Sequence, residues 1–256
     1  MALMLEHTSK PIVFVTDDYS TCKRAIDMAA SVAGGYEALM ERPQLLLYSE
    51  PSSPLQQSDT AVEKLLLMAE KRVPIVHAPA LLMGASGPIT PAGGFAQGIA
   101  EALSSLVLHQ LQSPGAPFVF GATVHHFDMG AMQTSYTGPE AQRSNTITAQ
   151  LGRWYGLPTW GFAGCSDSKL PDEQAALEAM FSVMTAKLSG VNLAHDAGYL
   201  ESGMTTSFEM LTLTDELVAM MDHMMPSINI SEDTLLLDEI DRVGPGGSYL
   251  DSPETL

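Results

Sequence analysis

Residues 158–195, PTWGFAGCSDSKLPDEQAALEAMFSVMTAKLSGVNLAH, decide the fold class, because they join two strand-like runs through one helix-like stretch. Pro158 to Phe162 is a short apolar run with the length of a buried strand, and Val191 to His195 is another. Between them, Pro171 to Glu173 are typical first-turn helix residues, and Ser189-Gly190 offers a left-handed cap. A strand, a helix and a strand in this order predict two parallel strands joined by an outer helix.

The same unit recurs along the chain. Each apolar run is followed by a helical pattern, and the runs start roughly 30 to 40 residues apart, the length of one βα unit. Six units do not close an eight-stranded barrel, so either two strands are hidden in the pattern or the barrel is incomplete. We therefore predict an incomplete TIM-type (β/α) barrel, an α/β fold with parallel strands and outer helices. An open doubly wound sheet is the alternative, but no Gly-x-Gly-x-x-Gly follows the first run. The six runs are Ile12 to Thr16, Gln44 to Tyr48, Pro74 to Ala78, Pro117 to Gly121, Pro158 to Phe162 and Val191 to His195.

Several helix ends and turns are also marked in the sequence. Thr60 and Glu63 form a capping-box pattern, and Thr214 and Ser231 are typical N-caps. The segment from Gly84 to Gly87 lacks the lysine of a phosphate-binding loop, so we interpret it as a tight turn. No linker or low-complexity stretch interrupts the chain, so we predict one domain over residues 1–256.

The charge balance narrows the classes of partner. Lys and Arg number 12 against 30 Asp and Glu, which gives a formal net charge of −18. This disfavours nucleic acid and anionic membranes and suits a small cation or a basic protein surface, although a solvated acidic exterior explains it more simply. The two cysteines, Cys22 and Cys165, are far apart and predict no disulfide framework. No apolar run reaches the roughly 18 residues of a membrane span, so a cytoplasmic location is predicted.

Polar residues follow each of the six runs. In parallel α/β folds the carboxyl ends of the strands meet at one face, where the functional site lies. Any one of these residues has an ordinary explanation, because βα loops are polar and Asp caps helices. As a group, they predict a site at this face. They are Asp17, Asp18, Ser49, Glu50, His77, His125, His126, Asp128, Cys165 to Lys169, His195 and Asp196.

Two kinds of chemistry suit these residues. Carboxylates near aromatic rings hold an ammonium group by charge and by cation–π contact. Histidines offer metal ligands instead, but the adjacent His125 and His126 point to opposite sides of an extended segment. Cys165 has no base beside it in the sequence, which disfavours a role as nucleophile. The aromatic candidates are Tyr136, Tyr155, Trp160 and Phe162, with Tyr155 and Phe162 expected in the core, and the histidines are His77, His125, His126 and His195.

Several short segments, spread over nearly the whole chain, are similar to segments of one known family. From about Pro11 to Tyr249, their order and spacing resemble the trimethylamine methyltransferase family, including members that act on glycine betaine and related quaternary amines. They include Ser49 to Leu55, Met83 to Pro88, Gln110 to Pro117, Gly138 to Glu140, Tyr155 to Pro158, Ser166 to Lys169, Ser189 to Asn192, His195 to Gly198 and Val243 to Gly247.

The resemblance implies a TIM barrel and a reaction of one-carbon metabolism, as in methanogenesis. A methyl group passes from a methylated amine to the Co(I) of a corrinoid carried by a separate protein. The corrinoid cofactor thus belongs to that partner, and none is bound tightly by this chain. Family members that act on tertiary amines carry pyrrolysine in the barrel, in a region near Lys169 to Gln174 here, and this sequence has only standard residues. The resemblance therefore favours a quaternary amine as the methyl donor.

Strand-end positions supply the candidate substrate site. Asp128 and Glu140 are expected to offer negative charge to the ammonium group, and His125 and His195 to bond a carboxylate of the substrate. No residue is assigned to catalysis, and no metal site is expected. The predicted substrate-binding residues are Glu50, His125, Asp128, Tyr136, Glu140, Asp167, His195 and Glu201.

The chain is shorter than the family members it resembles, so we expect it to lack the opening strands of the barrel and a C-terminal portion. An incomplete barrel exposes two sheet edges, which invites association into a homo-oligomer. Two other functions stay open. One is a different, metal-dependent TIM-barrel enzyme that uses the four histidines named above. The other is a non-catalytic protein that binds methylated amines or a corrinoid protein.

Overall fold

The six apolar runs form one parallel sheet in this computed structural model, which describes residues 1–255. All six predicted strands are confirmed, with ends that shift by one or two residues. The strands in chain order are β1 (Ile12–Phe14), β2 (Leu45–Ser49), β3 (Ile75–His77), β4 (Ala80–Met83), β5 (Phe118–Gly121), β6 (Thr123–Asp128), β7 (Gln133–Ser135), β8 (Thr159–Phe162), β9 (Leu193–His195), β10 (Tyr199–Leu200) and β11 (Thr205–Thr206). The main sheet has the order β1-β2-β3-β5-β8-β9, and it curls into half of a TIM-type (β/α) barrel.

Helices alternate with the strands along most of the chain. They are α1 (Ala2–His7), α2 (Tyr19–Ala33), α3 (Tyr36–Glu41), α4 (Asp59–Lys71), α5 (Pro91–Gln112), α6 (Pro139–Tyr155), α7 (Glu173–Ser189), α8 (Phe208–Met224), α9 (Glu232–Leu235) and α10 (Leu237–Val243), with a 3-10 turn at Glu201–Gly203. Asp172 caps α7 by accepting a hydrogen bond from the Ala175 N–H, and Gly190 ends it in the left-handed conformation. Both ends of α7 therefore agree with the sequence prediction.

Strand residues alternate between the outer and the inner face of the half-barrel. Leu45 and Leu47 face outward and pack with residues of α2 and α4 in the largest hydrophobic cluster. Leu46 lies between them, and it packs with Val76 and Trp160 in a separate inner cluster. The period of two along each strand thus divides the chain between helix packing and the concave face.

The half-barrel has two open edges within the described residues, at β1 and at β9. Val13 on β1 pairs in register with the inward Leu46, and Leu193 on β9 pairs with the inward Trp160. Both edge residues remain exposed, at 45% and 40%. The concave face is therefore accessible from its two sides, as the prediction of an incomplete barrel requires.

A second, smaller sheet extends the fold beyond the carboxyl ends of the main strands. The chain continues from β3 into β4 and from β5 into β6, and β4 pairs with β6 in parallel. β7 then pairs with β6 as an antiparallel hairpin. This sheet was not predicted from the sequence, because its strands are short and directly follow main strands, where loops were expected.

Two predicted caps are wrong. Ser58, and not Thr60, caps α4 by accepting a hydrogen bond from the Ala61 N–H. Thr214 lies inside α8, where its buried hydroxyl donates to the Gly164 carbonyl at 3.1 Å. The turn prediction at Gly84 is confirmed, because its N–H donates to the Gly87 carbonyl at 3.0 Å. A cap prediction rests on only a few neighbouring residues. It therefore cannot show whether a Ser or Thr hydroxyl will instead be buried and form a hydrogen bond with another element.

The described residues divide into two compact units, Met1–Met221 and the residues from Asp222 onward. In the second unit, Ser231 and Thr234 form a capping box at the start of α9, which confirms the predicted N-cap. Helices α9 and α10 have no buried residues. The single domain over residues 1–256 therefore stays a prediction. No described helix is both long and apolar enough to span a membrane.

Candidate functional site

A cavity of about 550 Å³ opens at the carboxyl ends of β2, β8 and β9, where the fold class places its sites. A cavity of similar size, about 540 Å³, lies at the amino ends of the strands, but prolines and aliphatic side chains line it. The first cavity combines aromatic rings with acids, whereas the second has no acid among its described lining residues. Its lining includes Val13, Tyr48, Glu50, Tyr136, Trp160, Leu193, His195, Asp196 and Tyr199.

Aromatic rings form one wall of this cavity. The indole of Trp160 stacks on the imidazole of His195, with centroids 4.7 Å apart and planes inclined by 12°. The Tyr48 ring lies 5.6 Å from Trp160 and 5.8 Å from His195. Tyr48 follows Leu46 by two residues, so the strand period places it on the same inner face. Tyr48 and His195 are partly exposed and offer their ring faces to a bound cation, while the buried Trp160 packs against both rings and supports them.

Two carboxylates lie beside these rings. The Tyr48 hydroxyl donates a hydrogen bond to Glu50. The Nδ1 atom of His195 is bonded to the Oδ1 atom of Asp196, a residue held at a positive φ of 74°. The Asp196 side chain is only 5% exposed.

Three buried polar atoms at this wall have no hydrogen-bond partner among residues 1–255. They are Oδ2 of Asp196, Nε2 of His195 and Nε1 of Trp160. Buried polar atoms are almost always bonded to protein, water or ligand. All three belong to residues that line the cavity, so they are candidate hydrogen-bond partners for a polar ligand.

His125 lies close to this wall, on β6. Its ring contacts the ring of Tyr136 at 4.5 Å and that of Phe162 at 5.2 Å. Burial lowers the pKa of His125 to about 4, and it raises the pKa of Tyr136 to about 12. Both side chains are therefore neutral at neutral pH. Phe162 is buried, as predicted, whereas Tyr155 is only partly covered at the end of α6.

Asp167 acts as a structural clamp beside the cavity. Its carboxylate accepts hydrogen bonds from the Ser135 hydroxyl at 2.6 Å and the Ser202 hydroxyl at 2.9 Å. It also accepts from the Tyr136 N–H at 2.9 Å and from the N–H and hydroxyl of Thr137. Asp167 therefore fixes the segment between β7 and α6 and places Tyr136 at the cavity.

Asp167→Asn is expected to lower the free energy of unfolding by about 2–3 kcal/mol, because an amide offers one acceptor oxygen to five donated hydrogen bonds. Urea unfolding followed by circular dichroism measures this. Asp128→Asn is the matched control, since only Oδ1 of Asp128 accepts, from the Gly130 and Ala131 N–H groups, and Asn makes the same turn. Equal losses in both variants would refute the clamp.

The predicted substrate-binding residues divide into two groups. Glu50, Tyr136 and His195 line the cavity, and His125 contacts Tyr136. Four others lie outside the lining. Asp167 is the clamp described above, Asp128 caps the exposed β6–β7 turn, Glu140 is exposed in the first turn of α6, and Glu201 pairs with Lys169 at 3.4 Å.

The residues of the metal alternative do not converge. No group of three or more His, Cys, Asp or Glu side chains in the described part of the chain is arranged to hold a metal ion. Cys165 is a free, fully buried thiol, and burial raises its pKa. It is therefore a poor candidate for a nucleophile.

Comparison with known proteins shows the family of this chain. The family model of trimethylamine methyltransferase (MTTB) matches residues 1–256. The chain belongs to this family. It is 33% identical over 253 residues to trimethylamine methyltransferase MttB of Desulfitobacterium hafniense strain DSM 10664 / DCB-2, covering 99% of this chain and 51% of that protein.

Two further relatives give a similar result. Glycine betaine methyltransferase of Desulfitobacterium hafniense strain Y51 is 34% identical over 232 residues, 90% of this chain and 48% of that protein. Trimethylamine methyltransferase MttB of Methanosarcina barkeri strain Fusaro is 33% identical over 226 residues, 88% of this chain and 46% of that protein. The chain thus spans about half the length of the curated relatives it matches.

Three residues that line the cavity, Tyr48, Asp196 and Tyr199, were not among the predicted substrate-binding residues. Tyr48 lies within a strand run, and the alternation with Leu46 was the available signal for its inward direction. Asp196 was noted only as a strand-end residue, and its unpartnered oxygen is visible only in three dimensions. Tyr199 follows the left-handed residues Asp196 and Gly198, a turn that the sequence leaves undefined.

Proposed function

We propose that this chain is an amine methyltransferase that binds the ammonium group of a quaternary methyl donor in the cavity between β2, β8 and β9. The observation that carries the proposal is the stacked pair of Trp160 and His195 beside Tyr48 and Glu50. Aromatic faces next to a carboxylate suit a cation that has no N–H to donate. A methyl group held there is fixed in position for transfer.

In this reaction the protein has to bind the methyl donor and orient it towards the acceptor. The bond between the methyl carbon and nitrogen breaks, and its electron pair stays on nitrogen to give a neutral tertiary amine. The acceptor supplies the electron pair of the new bond to carbon. Glu50 and the aromatic rings stabilise the cationic donor, and no proton has to move.

The methyl acceptor in this proposal is the Co(I) of a corrinoid carried by a separate protein, which acts as a co-substrate. The membership in the trimethylamine methyltransferase family supports this assignment. We place the reaction in the cytoplasm.

Anaerobic methyl transfer tests the proposal. The full chain is mixed with a reduced corrinoid and with choline, tetramethylammonium, glycine betaine or trimethylamine, and the visible spectrum reports methylation of the corrinoid. A quaternary donor is expected to support transfer. Absence of transfer with every donor, together with absence of donor binding, would refute the proposed function.

A second candidate is a protein that binds methylated amines without turnover. The same aromatic rings and carboxylates favour it, because they bind an ammonium group whether or not a methyl group is then transferred. Donor binding with no methyl transfer to any corrinoid would select this candidate.

A further inference from the structure

The carboxylates that line the cavity have no Lys or Arg beside them in the described part of the lining. Glu50 and Asp196 are the acids of its lining, and no Lys or Arg lines it within the described residues. Lys169 pairs with Glu201 at 3.4 Å, and its side chain is 75% exposed. The cavity therefore has no fixed cation to neutralise an anionic ligand.

The histidines do not supply that cation. His195 is bonded to Asp196 through Nδ1, so any positive charge on its ring is matched by that carboxylate. His125 is buried and neutral at neutral pH, because burial lowers its pKa to about 4. Glu50 thus gives the lining a negative charge that no Lys or Arg among its described residues neutralises.

The unpartnered oxygen of Asp196 favours a ligand that can donate a hydrogen bond to it. Its Oδ2 atom is a buried acceptor with no donor among residues 1–255, on a side chain that is only 5% exposed. An alcohol on the ligand can donate a hydrogen bond to this oxygen, whereas a carboxylate cannot. Bringing a carboxylate close to Asp196 and Glu50 instead places like charges together in a partly desolvated site.

We propose, on the basis of the proposed function, that this site selects quaternary ammonium donors without a carboxylate and discriminates against betaines. Choline and glycine betaine make a matched pair, because in both a single methylene joins the trimethylammonium group to the second group, which is CH2OH in choline and a carboxylate in glycine betaine. Choline is expected to bind at least about tenfold more tightly, as one unfavourable charge contact of this kind predicts.

The test is a titration of intrinsic fluorescence in a Trp154→Phe background. The chain has 2 tryptophans, and Trp154 is 83% exposed, so this change leaves Trp160 at the cavity as the reporter. Choline and glycine betaine are titrated separately, and calorimetry confirms the dissociation constants. Glycine betaine binding as tightly as choline, or more tightly, would overturn the selectivity while leaving the proposed function intact. Failure of both ligands to bind, with no methyl transfer, would overturn the proposed function and the selectivity with it.

Glu50→Gln identifies the source of the selectivity. This variant keeps an acceptor for the Tyr48 hydroxyl but removes the charge. The ratio of the two affinities is expected to fall towards one, with choline bound more weakly and glycine betaine more tightly. Glu63→Gln, at an exposed position of α4, is the matched control and should leave the ratio unchanged. An unchanged ratio in Glu50→Gln would show that Glu50 does not set the selectivity.

Discussion

Trp160→Ala is expected to abolish donor binding and to lower the free energy of unfolding by about 3–5 kcal/mol. The indole is 3% exposed, packs in the inner cluster with Leu46 and Val76, and stacks on His195. Its removal leaves a cavity under the concave face and frees the imidazole to rotate. The cation then loses the support that holds the His195 and Tyr48 rings in place.

Donor titration by calorimetry and urea unfolding measure the two effects. Trp154→Ala is the matched control, because the Trp154 side chain is 83% exposed, and we expect a change within about 0.5 kcal/mol. Trp160→Phe separates packing from recognition, since it retains a ring and most of the buried volume. Donor binding by Trp160→Ala with unchanged affinity would remove the aromatic wall from the proposed mechanism.

Acidification from pH 7 to pH 5 is expected to destabilise the protein by about 5–6 kcal/mol. Burial lowers the pKa of His77, His109 and His125 to about 4 each, against an ordinary value of 6.5. These depressed values mean that the unfolded chain takes up protons first as the pH falls. The stability is complete above the unfolded pKa and is lost between about pH 6.5 and pH 4, at about 2 kcal/mol per histidine by pH 5.

Urea unfolding at intervals between pH 7 and pH 5 measures this loss. The carboxylates remain mostly ionised over that interval, so the histidines dominate the slope. His109→Gln retains a polar side chain beside Gln110 and should reduce the pH dependence by about one third of the total. A stability that is flat from pH 7 to pH 5 would show that these three rings are protonated without cost in the native state.

The main sheet was predictable because its strands are buried on both faces and appear as continuous apolar runs. The β4-β6-β7 sheet was not, since short segments such as Gln133–Ser135 carry no period that separates them from a loop. The sequence also does not show in which direction a strand-end side chain points. A strand-end position indicates the correct end of the fold, but it does not say whether a side chain enters the cavity.

Asp128 and Asp196 illustrate that limit. Both follow strand-like segments and both were expected near the site, yet Asp128 turns back to cap its own hairpin while Asp196 lines the cavity. The left-handed conformation of Asp196 sets its direction, and neighbouring elements impose it. Composition and spacing could not distinguish the two.

The strand order of the main sheet also bears on how the protein is made. Each strand of this sheet pairs with the main-sheet strand that precedes it along the chain, in the order β1-β2-β3-β5-β8-β9. One cluster uses only buried residues between Leu5 and Phe118, and another only those between Ala175 and Met221. Each βα unit can therefore dock on its predecessor as it leaves the ribosome, which allows vectorial assembly from the amino terminus.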